Sequence, residues 1–126
     1  MTDDPRNVLE IALVRGRENL LNMQTIFWVF ASSTIYVPSG TEPGEGMANF
    51  QPVLFERDGT QMVACYSELD RGNGIRDLAP YMVAMTGLKL LTGVPSDQGI
   101  VLNAGSTIGF DIAPKGISAI RAEIGL

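Results

Sequence analysis

The sequence predicts an α+β fold: a mixed or antiparallel sheet of about five to six short strands, flanked by helices. Three observations carry this. Apolar residues recur at helical spacing near both ends of the chain. Two pairs of β-forming runs each flank a turn-forming segment, the first around Asp58-Gly59 and the second around Asn103 to Thr107. Helices and hairpins follow one another without a regular strand–helix alternation, which argues against a parallel α/β sheet. Two helices fall at the N-terminus and one at the C-terminus. The 126 residues suit a single domain spanning 1–126.

Asp4 before Pro5 offers a helix cap with proline at the first helical position, and Asn7 with Glu10 offers a second, overlapping start. Leu9, Leu13, Gly16 and Leu20 share one face, with Gly16 as the expected break. A second helix is expected from about Asn19 to Ser32. Its Ile26 to Phe30 stretch is five large apolar residues in succession, which covers nearly the whole helix circumference. Thr34 to Val37 reads as a strand stopped by Pro38, and Ser39 to Asn49 as a mobile loop. Pro52 to Arg57 and Thr60 to Tyr66 form a hairpin around Asp58-Gly59. Ser67 to Gly74 is a polar, glycine-rich loop leading into a short turn at Ile75 to Leu78. Tyr81 to Met85 is a strand, and Thr86 caps a short helix ended by Gly93 and Pro95. Ile100 to Leu102 and Ile108 to Ile112 make the second hairpin, and Pro114 opens the final helix.

Composition limits the function. The chain is 45% hydrophobic and 18% charged, typical of a folded globular domain. Its formal charge is −5, with Lys89 and Lys115 the only lysines, which is poor equipment for neutralising phosphates. No nucleic-acid partner is expected. The longest apolar run, Ile26 to Ala31, is far short of the roughly 20 residues that cross a bilayer, so no membrane partner is expected either. The start, Met1 to Pro5, lacks the basic and apolar regions of a signal peptide, and one cysteine cannot form an internal disulfide. Cytoplasm is the resulting expectation.

There is no histidine. That removes Ser-His and Cys-His nucleophile activation, and with one thiol it removes cysteine–histidine zinc sites. No catalytic residue, cofactor or metal is therefore assigned. Cys65, between Ala64 and Tyr66, reads as a small buried hydrophobe. Gly44-Glu45-Gly46 and Gly72-Asn73-Gly74 lack the context of a phosphate-binding fingerprint and read as loops. Glu56 and Asp58, with Glu68 and Asp70, read as solvated turn charges; carboxylate-driven acid–base or Mg²⁺ chemistry is the competing reading. Two sets of residues are candidates for interaction. Asn103, Ser106 and Thr107 lie on the second hairpin loop, where they either shape the turn or serve recognition. Trp28 and Phe30 belong either to the core or to a self-association patch.

Several segments together resemble a known family. They are Tyr36-Val37-Pro38, the Asp58-Gly59 hairpin, Tyr66-Ser67, Thr86 to Leu91, Gly99 to Gly105, Gly109-Phe110 and the proline-initiated last helix. In order and spacing the chain is similar to the SseB family N-terminal domain, most specifically from Thr86 to Ile124. It departs in having Ala104 where members usually have proline, and the second domain that longer members carry is not expected. The resemblance implies a mixed sheet flanked by helices. It implies no catalytic residues, because none is established for the family, which is named from a serine-sensitivity phenotype.

The functional expectation is a non-enzymatic bacterial protein-interaction module with a protein partner and a weak homodimer through the helix patch or a strand edge. A small acidic chaperone or immunity protein for a secreted effector or toxin is one alternative. A small-molecule binder or carboxylate-dependent enzyme is the other.

Overall fold

A computed structural model describes residues 4–45 and 50–125. Residues 1–3, 46–49 and 126 lie outside it, and with them part of the acidic start, of the Ser39 to Asn49 loop and of Gly44-Glu45-Gly46. The fold is α+β. Helices α1 (Val8–Arg17) and α2 (Met23–Ser32) precede strand β1 (Thr34–Ser39). The hairpin β2 (Leu54–Arg57) and β3 (Thr60–Cys65) leads into a 3-10 helix (Leu69–Ile75). Then come β4 (Tyr81–Thr86), α3 (Gly87–Gly93), β5 (Gly99–Leu102), β6 (Phe110–Ile112) and α4 (Pro114–Ile124).

The strands divide into a two-stranded sheet, β1-β4, and a four-stranded sheet, β2-β3-β5-β6. Only β3–β5 is parallel. Isolated bridges from Tyr36 to Tyr66 and from Ser39 to Pro52 join the two sheets.

Local chemistry accounts for most boundaries, and corrects several. α1 starts at Asn7, whose side chain accepts from the Glu10 N–H at 2.9 Å, so the Asp4–Pro5 start is not used. Gly16 does not break α1. It lets α2 approach, since a Cβ there would sit 2.2 Å from Ile26 Cδ1. Leu20 falls beyond the helix, after Asn19 at φ 62, and is exposed. α2 begins later than expected, capped by Asn22, whose side chain accepts from the Thr25 N–H at 2.8 Å. Pro38 does not stop β1. Tyr36 and Pro38 turn their backbone groups away from β4, towards Tyr66 and Val53, so the missing N–H removes no β1–β4 bond. The Ser67 to Gly74 segment is not simply loop, since the 3-10 helix occupies most of it.

The Asp58-Gly59 hairpin forms as expected, both residues having positive φ, 51 and 84. Thr86 caps α3 by accepting from the Lys89 N–H at 3.1 Å, and Pro114 opens α4. Burial drives the rest. Val63, Cys65, Ile100, Leu102 and Ile112 face the helices, against Leu9, Leu13, Phe30, Leu91, Ile117 and Ile120. Each fully buried aliphatic or aromatic side chain contributes about 1.5–3 kcal/mol. Gly87 lets α3 rest on the end of α2, where a Cβ would lie 2.0 Å from the Phe30 carbonyl oxygen. On the opposite sheet face Met62, Ala64 and Val101 form a small second cluster with Val53, Phe55 and Ala104.

Candidate functional site

The deepest polar cluster joins four parts of the chain. Glu10 on α1 is 0% exposed. Its carboxylate accepts from Arg71 at two points, Nε to Oε2 at 2.6 Å and Nη2 to Oε1 at 2.8 Å. It also accepts from the Ser67 hydroxyl and, at 2.9 Å, from the Arg6 backbone N–H. Ser67 is held in turn by Asn103, whose Oδ1 accepts from the Ser67 N–H at 3.0 Å. The Asn103 amide donates to Ser67 Oγ at 2.8 Å and to the Ile108 carbonyl at 2.7 Å. Asn7 donates to the Ser67 carbonyl at 2.9 Å. Burial pushes the Glu10 carboxyl up, but the hydrogen bonds from Arg71, Ser67 and Arg6 outweigh it and hold the pKa below the usual value. Among the described residues no buried side-chain polar atom lacks a partner. The cluster is closed, and it ties α1, the end of β3, the 3-10 helix and the β5–β6 loop together.

The sequence-predicted residues divide. Trp28 stays 49% exposed, its indole N–H donating to Glu123 on α4 at 2.9 Å. Phe30 is 0% exposed and packs edge-on against Phe110, so it is core and not contact surface. Asn103 is likewise removed from the surface: at φ 54 it makes the turn and spends its amide on Ser67 and Ile108. Ser106 is half-buried and accepts from the Ile108 N–H, while Thr107 is exposed. Arg57 and Asp111 form an ion pair close to that loop, beside a shallow polar concavity. Asp70 pairs with Arg6, and β3 separates it from the Glu56 and Asp58 turn, which lies at the other end of that strand. Among the described residues, no group of three or more metal-ligating side chains occurs. No helix among them is long and apolar enough to cross a membrane. Cys65 is fully buried, and burial pushes its thiol pKa up.

Sequence reasoning missed Glu10, Arg71 and a groove. Glu10 was legible only as a capping residue, although its i+3 spacing to Leu13 sets it beside the apolar face of α1. The groove, about 640 Å³, opens between β2 and α3. Phe50, Leu54, Met85, Leu90 and Val94 supply its apolar walls, and Lys89 is the single charged residue of its lining among the described residues. Arg121 on α4 fixes one wall. Its guanidinium donates to the Leu91 and Val94 carbonyls, each at 2.6 Å, at the end of α3 where a cation is favoured.

These features define an α+β domain whose ionic centre serves the fold and whose β2–α3 groove is apolar. The chain belongs to the SseB family: the model for the SseB protein N-terminal domain matches residues 9–119. No curated protein and no solved structure matches it.

Proposed function

We propose that this domain is a non-enzymatic protein-interaction module of SseB type, engaging a protein partner through the groove between β2 and α3. One observation carries the reading. Among the described residues, this groove is walled by apolar side chains and holds one cation, Lys89, with no carboxylate in its lining. Such a surface recognises shape and apolar area, and a lone lysine has no neighbouring carboxylate or second cation to set it up as a base or nucleophile. Cytoplasmic work goes with this reading, since a chain with a single thiol has no internal disulfide that would call for an oxidising compartment. A weak two-fold contact is part of the proposal through Trp28, the half of the helix patch that stays exposed.

The test is a pull-down with mass spectrometry from the source cell, comparing the natural chain with Leu54→Asp. Leu54 is partly exposed on the groove wall, so the substitution spares the core. A discrete partner retained by the natural chain and lost by the variant supports the module. Identical recovery by both removes the groove from it. Partners encoded beside this chain and carrying basic toxin or effector surfaces would favour the chaperone or immunity alternative.

A further inference from the structure

The groove lies beside a sheet edge that, from Leu54 to Arg57, has no neighbouring strand among the described residues. β2 is outermost in its sheet. Arg57 and Thr60 flank a two-residue turn, so they exchange both backbone bonds, and bonding alternates from there. Phe55↔Met62 is then a bonded pair, whereas Glu56↔Gln61 and Leu54↔Val63 are not. The bond from the Ala64 N–H to the Val53 carbonyl at 3.0 Å fits that alternation. Leu54 and Glu56 therefore turn their N–H and C=O groups outwards, and no other backbone hydrogen bond of theirs occurs among the described residues.

The side chains give this edge a chemistry. Leu54 stands opposite Val63, on the sheet face towards the helices, and lines the groove. A strand added outside β2 would drop alternate side chains on that same face, beside the groove. Lys89 forms no ion pair among the described residues. In a chain of net charge −5, an unpaired cation on an apolar rim complements an acid on the occupant. Glu56, at the turn end of the same face, repels an acid there and so confines it to the Lys89 end.

We propose that a partner protein contributes an extended apolar–acidic segment that adds to β2 as a further strand, one apolar side chain entering the groove and one carboxylate meeting Lys89. Outward groups on two residues offer up to four backbone bonds, while groove and lysine select the sequence. This deepens the interaction reading and rests on it.

The experiment selects a randomised eight-residue peptide display library against the full chain, then measures the best peptide by fluorescence polarisation. The expected winners pair an apolar residue with an acid at fixed spacing. Lys89→Gln should weaken binding about tenfold, the effect of losing one charge pair worth about 1.4 kcal/mol. Glu56→Pro should abolish binding without lowering the urea midpoint, because proline there removes an outward N–H and no ladder bond. Equal binding by Glu56→Pro, winners without acids, or no enrichment overturns strand addition. A concentration-dependent dimer that Glu56→Pro dissolves makes a second copy the occupant and also overturns it. The interaction reading itself falls only if the natural chain retains no discrete partner in the pull-down.

Discussion

Glu10 and Arg71, separated by 61 positions, meet as a two-point ion pair beneath the surface, at 2.6 and 2.8 Å. Both side chains are almost wholly buried. Two charges taken out of water are tolerated here because every remaining lone pair of the carboxylate is occupied, by Ser67 and by the Arg6 N–H. The pair locks α1 to the 3-10 helix, and through Ser67 and Asn103 to the second hairpin. It is an architectural device, and removing half of it should be worse than removing all of it.

Arg71→Met should therefore cost about 3 kcal/mol or more, since it leaves the Glu10 carboxylate buried without its cation. The double variant Glu10→Leu/Arg71→Met should recover most of that loss. Urea unfolding of the three proteins decides the matter. A double variant no more stable than Arg71→Met would mean that the pair is not the determinant.

Acid should weaken the fold through the same residue. Burial alone would raise the Glu10 pKa, but hydrogen bonds from Arg71, Ser67 and Arg6 depress it below its ordinary 4.5. A depressed carboxyl stabilises fully above the unfolded value, and that contribution drains away as pH falls through the folded one. Stability should thus hold down to about pH 4.5 and drop below it. Glu10→Gln should flatten the drop, measured as urea midpoints between neutral and acid pH. Asp70, lowered by its hydrogen bond to Arg6, keeps some slope in the variant.

Asn103→Ala should destabilise by about 2 kcal/mol, because the buried Ser67 N–H and the Ile108 carbonyl each lose their partner. Asn103→Gly should lose nearly as much, although glycine suits the φ of 54 without strain. A fully stable glycine variant would reduce Asn103 to a turn-former. Thermal melts of both variants distinguish the outcomes.

Cys65 should be inert in the folded chain. It is 0% exposed, and its raised pKa leaves no thiolate at neutral pH. An aromatic disulfide reagent should react only as fast as the protein opens, and at once in denaturant. Immediate reaction of the native protein would place the thiol at the surface.

The sequence by itself determined the elements whose signals lie within a few residues of one another. Asp58-Gly59 specifies its hairpin because both positions need positive φ, and Thr86 and Pro114 specify helix starts because each answers a local backbone need. The order and spacing of its segments also carry the SseB resemblance without reference to the fold. What the tertiary structure decided were the choices between surfaces. Five consecutive apolar residues on α2 cannot say which will be covered; packing against Phe110 took Phe30 inward, and Glu123 held Trp28 at the edge. Asn103 was legible as a turn residue, but its inward amide depended on Ser67, 36 positions away. Glu10 and Arg71 carry no mutual signal at all, because the energy that joins them exists only once burial has removed the water around both.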